Sequence, residues 1–338
     1  MKNKTNKNPQ SLFANLFVLF FLAFVILLSP SASISSLNSK SIERTTFVIE
    51  KGMSLNSLTN VLYEEGIIGN KSFFKYSVVL RGLAGNIPTG TFAIEGNISN
   101  TKLIRTIFDE GPIRIKVTLP EGLRSEKVLE KIENILETKN RGLLTDFSFI
   151  EQFGIEATSL EGYLFPDTYY FFQDITIEEV LTVMINQFWN NFNQTLIDRS
   201  NELELTIHEV VTLASIIEGE ALFDSERRTI SSVYHNRLRK NIKLQADPTI
   251  QYLFLDGPKT LETKHLTISS PYNTYIHYGL PPGPINNPGI KSIEAALYPE
   301  DTDYLYFVAK GDGYHVFSTN RSDHLRAKRE YKKQKRIQ

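Results

Sequence analysis

The stretch Thr206–Ile207–His208–Glu209–Val210–Val211–Thr212–Leu213–Ala214–Ser215–Ile216–Ile217–Glu218–Gly219–Glu220 decides how the rest of the chain is read. Thr206-x-x-Glu209 is a capping-box pattern that opens a helix. At about 100° per residue, Ile207, Val210, Val211, Leu213, Ala214 and Ile217 gather on one apolar face. Glu218 falls inside that arc, towards one edge, while Glu209 and Glu220 lie across the polar boundary. An ionised carboxylate on the buried side of a helix is costly, and burial favours its protonated form. A carboxylic acid that keeps its proton near neutrality can serve as a general acid. Two readings of Glu218 stand at this point: a catalytic acid, or a helix end that turns to solvent beside Gly219.

The chain has 338 residues, 41% of them hydrophobic, enough for one large or two modest domains. A formal net charge of -1 gives no basic field for nucleic acid. The absence of cysteine excludes disulfides, thiol nucleophiles and cysteine zinc sites. The histidines show no metal-binding spacing, and GxGxxG, P-loop and GxSxG patterns are missing, so no cofactor is expected.

Lys2, Lys4 and Lys7 precede an apolar run from Leu12 to Leu28. The run is near the lower limit for a spanning helix and long for a signal-peptide core. The expected order is a cytoplasmic tail over 1–11, a transmembrane helix over 12–30 and a Ser-rich linker over 31–44. A cleaved signal peptide is the alternative, with Ser31–Ala32–Ser33 as small residues. Both readings place the body of the protein on the same, outer side.

A weak repeat follows. Phe47–Val48–Ile49–Glu50–Lys51–Gly52 leads into Leu55, Leu58, Val61 and Leu62 at helical spacing; Val117–Thr118–Leu119–Pro120–Glu121–Gly122 leads into Val128, Ile132 and Ile135. Each copy reads as strand, glycine turn and amphipathic helix. Between them Phe73–Leu80 reads as helix, and Gly90–Ile94 and Ile113–Leu119 as strands. Leu160–Phe171 is dense in aromatics and reads as a turn into a strand, with Glu161 and Asp167 as structural acceptors. Residues 176–200 read as one amphipathic helix.

Beyond the Glu218 helix, Asp224–Ser225–Glu226 starts another, with Ile230, Val233, Tyr234 and Leu238 on its apolar face and Asn236 and Arg237 beside it. Leu244–Gln245–Ala246–Asp247–Pro248–Thr249 reads as a loop, with Asp247 extended before proline. Residues 271–289 hold five prolines and three glycines, a stiff irregular segment. Its tyrosines alternate with Asn and Thr, a mixture suited to the apolar faces and hydroxyl rims of sugars. A rigid structural crossover is the other reading. Tyr304–Ala309 and His315–Ser318 flank Gly311–Asp312–Gly313 as a hairpin, and the basic tail from His324 reads as helix.

Taken in order, Leu160–Phe171, Ala214–Glu220, Asn236–Leu238, Leu244–Thr249, Tyr272–Tyr275, Gly279–Gly283 and His315–Phe317 resemble the endolytic murein transglycosylase family, also called YceG-like. The resemblance runs from about residue 45 to about residue 330. It implies an α+β protein: an N-terminal transmembrane helix, a LysM-like βα module over 45–115, and a mixed α/β catalytic domain over 116–335. It implies Glu218 as the catalytic residue and peptidoglycan glycan strands as substrate, cut internally to leave 1,6-anhydro-N-acetylmuramic acid. It also implies an inner-membrane anchor and suggests cooperation with peptidoglycan synthases. Gly219 stands where family members often carry Lys; a looser helix end and little effect on the chemistry are expected.

In the expected mechanism, neutral Glu218 protonates the glycosidic oxygen leaving muramic C1, then takes the proton of the C6 hydroxyl, which closes the anhydro ring. The nucleophile is tethered, so neither metal nor activated water is needed. Tyr272, Asn273 and Tyr275 are expected to position the glycan, with Gln245, Asp247 and Asn236 lining or bracing the cleft. Two alternatives remain open here: a lysozyme-like hydrolase using Glu218 and Asp247, and a non-catalytic wall-binding anchor.

Overall fold

The computed structural model describes residues 42–335, apart from Asn97, Leu255, Asp256 and Pro258. The expected cytoplasmic tail and membrane span, and most of the linker, lie outside the described residues. Among the described residues no helix is long and apolar enough to cross a membrane. The chain is α+β and divides into two units, one running to Ile115 and taking in Phe172–Asp174, the other comprising Lys116–Phe171 and the residues from Ile175 onward.

In the first unit, β1 (Ile42–Ile49) leads through Gly52 into α1 (Leu55–Glu64), followed by α2 (Lys71–Leu80) and β2 (Gly90–Gly96). Ser54 and Asn70 cap the two helices by accepting the N–H groups of Ser57 and Phe73. β1 and β2 pair antiparallel, and Phe47 stacks on Phe92 across them. α3 (Asn100–Arg105) runs into a π-turn over Thr106–Glu110. Leu58, Leu62, Phe74, Val78, Leu103 and Ile107 close the core, as the helical spacing requires.

β3 (Arg114–Thr118) pairs with a later strand, and α4 (Ser125–Leu136) and α5 (Phe147–Glu151) lead to it as β4 (Thr168–Phe172). The two copies of the strand–glycine–helix repeat therefore share local form but pair with different strands. The single helix expected over 176–200 is two: α6 (Ile177–Asn191) and α7 (Gln194–Glu202). Phe192 leaves the helix and Asn193 caps the next by accepting the N–H of Leu196, a local bond that competes with helix continuation.

α8 (Ile207–Glu220) starts with the expected reciprocal box: Thr206 Oγ1 accepts the N–H of Glu209 at 3.1 Å, and the Glu209 carboxylate accepts that of Thr206 at 2.8 Å. The helix is not one-sided. Every residue from Val210 to Ile217 is buried, because α7, α9 (Asp224–Arg239), α10 (Asp247–Gln251) and α11 (Ile290–Leu297) pack around it. Thr212 and Ser215, which interrupt the apolar pattern, bond the carbonyls of His208 and Thr212 within the helix. The loop expected over 244–249 instead closes into α10, with Pro248 in the first turn. Thr274 holds that turn, accepting the N–H of Ala246 and pairing with the hydroxyl of Thr249.

The proline-rich segment 271–289 has no regular element and is pinned along α8. His208 Nε2 pairs with the Pro282 carbonyl at 3.0 Å, Ser215 Oγ accepts the Ile285 N–H at 3.0 Å, and Asn286 donates to the Ser215 carbonyl at 2.8 Å. Gly162, at φ +90, packs so tightly that an added Cβ would lie 2.6 Å from Pro284 and 2.7 Å from Val211. β5 (Tyr306–Ala309) and β6 (His315–Ser318) form the expected antiparallel hairpin, and α12 (Arg321–Lys335) the expected basic helix.

Candidate active site

Glu218 sits in the last turn of α8 with its side chain 7% exposed. One carboxylate oxygen, Oε2, is held from two directions. It lies 3.1 Å from Nη1 of Arg227 on α9 and accepts the backbone N–H of Gly289 at 3.1 Å, where the proline-rich segment enters α11. The other oxygen, Oε1, has no protein partner among the described residues. Glu218 therefore neither turns to open solvent nor stands apart from the 271–289 segment.

Arg227 is itself buried and gathers the surroundings. Nε lies 3.1 Å from Oδ1 of Asp224, Nη1 donates to Ser292 Oγ, and Nη2 lies 3.9 Å from Glu121 Oε2. Asp224 also pairs with Lys291, and that hydrogen bond keeps its carboxyl below the usual range. Glu121 comes from the Leu119–Pro120–Glu121–Gly122 turn. Its carboxylate lies directly over Gly289: a Cβ there would fall 1.9 Å from Glu121 Oε1. Partial burial raises the Glu121 carboxyl above its ordinary value, and the neighbouring charge of Glu218 adds to the rise.

A second node fixes the turn that carries Glu121. Asn287 exchanges backbone bonds with Gly122 and Leu123, and its Oδ1 accepts the Leu164 N–H at 2.9 Å. Glu161, 7% exposed, accepts the N–H and hydroxyl of Ser125 and the amide of Asn287. Burial pushes its carboxyl up to about 7. Glu161 is thus an interior acceptor, as its aromatic setting suggests in sequence.

The other expected site residues separate into groups. Tyr275 donates its hydroxyl to Asp247 Oδ1, and the backbone N–H of Gln245 donates to Thr274 at 3.1 Å, so the ends of these two stretches meet. Gln245 is exposed and takes φ +49, a costly conformation for a residue with a side chain. Tyr272 stands with Tyr252, ring centres 4.9 Å apart, and Arg124 covers the Tyr252 ring at 4.8 Å. Asn273 and Asn236 do not line a cleft. Asn273 is fully buried and donates both amide hydrogens to Leu266 and Ile268. Asn236 is 3% exposed and donates both of its own to Thr302 and Tyr304. Neither keeps a donor for a ligand; both brace the backbone behind the site.

A family model for the YceG-like family matches residues 47–330. The chain belongs to the YceG-like family. It is 33% identical over 302 residues to the endolytic murein transglycosylase of Bacillus subtilis, covering 84% of this chain and 83% of that protein. It is 25% identical to the endolytic murein transglycosylase of Streptococcus pneumoniae, covering 92% of this chain and 64% of that one. A crystal structure of a yceG-like protein from Listeria monocytogenes superposes with a TM-score of 0.57 at 30% identity, covering 84% of this chain and 98% of that chain.

Within this YceG-like chain, sequence reasoning missed Arg227 and Glu121. Arg227 could have been found. It precedes Ile230 and Tyr234 by three and seven residues, so it lies on the apolar face of α9, where an arginine needs an acid partner. Glu121 gave no such signal, since only the folded chain brings its turn over Gly289. His315, quoted in the resemblance, proves to be a brace: its ring and backbone nitrogens each reach the Glu226 carboxylate at 2.9 Å.

Proposed function

We propose that this YceG-like chain is a lytic transglycosylase that cuts murein glycan strands internally, with Glu218 as its acid–base group. The endolytic murein transglycosylase of Bacillus subtilis, matched along most of both chains, supports the activity. The observation that carries Glu218 is the asymmetry of its carboxyl: Oε2 is held by Arg227 and Gly289, while Oε1 is left to move a proton. With one oxygen fixed, the other keeps a set position while the C1–O bond breaks and the C6 oxygen closes on C1. Oε1 gives its proton to the leaving oxygen and then accepts that of the C6 hydroxyl, so the enzyme ends as it began. Guanidinium and backbone donors on Oε2 steady the carboxylate between these two transfers.

The remaining parts follow the same reading. Lys2, Lys4 and Lys7 ahead of the apolar run Leu12–Leu28 support an inner-membrane anchor with a cytoplasmic N-terminus and the catalytic unit outside. The strand–helix unit before residue 116 serves as a LysM-like module beside the substrate strand. Gln245, Asp247, Tyr272 and Tyr275 contact the glycan, and peptidoglycan synthases supply it. Mass spectrometry of products from uncross-linked glycan tests the activity: anhydro ends carry one water fewer than hydrolytic ends. Glu218→Gln should keep glycan binding and lose cleavage by roughly three orders of magnitude or more.

A further inference from the structure

Glu220 is an acid the chemistry above does not use. It ends α8 two residues after Glu218, about 200° further round the helix, so it faces away from the proton-transfer oxygen. Its Oε1 accepts the hydroxyl of Tyr234 at 2.9 Å, and Tyr234 is 1% exposed. The backbone of Asp247, the first residue of α10, lies against the same carboxyl. Asp247 in turn takes the hydroxyl of Tyr275 on Oδ1 and is itself exposed. Its Oδ2 has no protein partner among the described residues. The link between helix end and glycan rim is close-packed: at Gly219 an added Cβ would lie 2.7 Å from Pro248.

We propose that Glu220 is a positioning residue, holding Asp247 so that the Asp247–Tyr275 pair presents Oδ2 to a hydroxyl or acetamido N–H of an amino sugar. This rests on the transglycosylase reading, and it adds a residue with no part in the bond cleavage. The groups facing Glu220 are Asp247, Tyr234, Tyr275 and Arg237. Arg237 does not bond the carboxyl; its guanidinium donates to the carbonyls of Leu305, Lys243 and Leu244. Two carboxyls thus lie together without a cation bonded to either. Burial, then the charge of Asp247, pushes Glu220 up to about 7. Ionisation above that pH sets Glu220 against Asp247, loosens the Tyr275 contact and weakens glycan binding.

The experiment is steady-state cleavage of uncross-linked glycan strands by the full chain in detergent, between about pH 5.5 and 8.5. Wild type should show KM rising several-fold through neutrality. Glu220→Gln keeps the neutral form at every pH, so it should match the wild-type KM at pH 6, hold that value to about pH 8.5 and change kcat no more than about threefold, whereas Glu220→Ala should raise KM about tenfold throughout. Tyr234→Phe, which takes the hydroxyl partner from Glu220 and is too buried to touch glycan, should raise KM and decides the matter if Glu220→Gln fails to fold. KM values equal to wild type at every pH, in whichever variants fold, would overturn the positioning role. A wild-type enzyme that forms no anhydro ends at any pH would instead overturn the transglycosylase reading.

Discussion

Arg227 lies on the buried face of α9, and its guanidinium meets Glu218, Asp224, Ser292 and Glu121. Removing it leaves Glu218 Oε2 and Ser292 without their buried donor, a loss of roughly 1–3 kcal/mol. Arg227→Ala should therefore lower stability by about that amount, read by denaturant unfolding, and lower kcat as well, because Oε2 of Glu218 loses its fixed partner. Arg227→Lys keeps the charge but not the planar fork that serves several acceptors, so it should fold and still lose kcat. A lysine variant with wild-type kcat would count against the holding role.

Glu161 makes a claim about pH. Its folded value, about 7, exceeds the ordinary 4.5, so the folded state keeps a proton that the unfolded chain releases between those values. Stability from this residue is thus intact below the lower value and falls as pH rises through the upper one, by at most about 3 kcal/mol. Glu220 acts in the same direction. The melting temperature of wild type should be lower at pH 8 than at pH 5, and Glu161→Gln should reduce the difference. An unchanged difference would show that Glu161 releases no proton on unfolding in this range.

Among the elements, α8 and its neighbours show what the chain's pattern could and could not tell. The capping box at Thr206 and Glu209 is a local bond set, and local bonds are legible from spacing. The break between α6 and α7 rests on one asparagine within an otherwise continuous apolar pattern, and the periodicity hides it. The enclosure of α8 on all sides depends on four other helices, so the apolar arc read from sequence understates its burial. The same limit applies at the site. Glu218 is legible because an acid among apolar residues stands out, whereas Asn236 and Asn273 look equally polar whether they face a cleft or a carbonyl. Only the folded chain shows their amides engaged.

Gly219 marks where the elements meet most tightly. Pro248 of α10 occupies the space a side chain at this position would enter. Gly219→Ala should push α10 from α8 and shift Asp247 with it, since Asp247 immediately precedes Pro248. Overpacking of this kind costs typically 1–3 kcal/mol. Glycan binding should weaken along with stability; a variant as stable and as active as wild type would show that α10 gives way freely.

For the molecule as a whole, the chain divides into a strand–helix unit and a helix-rich unit. Glu218, Arg227, Glu121 and the 271–289 segment all belong to the second unit. A protein lacking residues 1–40 should therefore cut soluble glycan to the same ends as the full chain but no longer sediment with membranes. Continued sedimentation would remove the anchor from the proposal while leaving the chemistry in place.

The chemistry is tested most directly by the ends left on uncross-linked glycan, read by mass spectrometry in water enriched in heavy oxygen. Wild type should leave 1,6-anhydro ends with no heavy oxygen incorporated, and Glu218→Gln should leave the strands whole. Reducing ends carrying heavy oxygen, or anhydro ends formed equally by Glu218→Gln, would contradict a single carboxyl that first gives and then retrieves the proton.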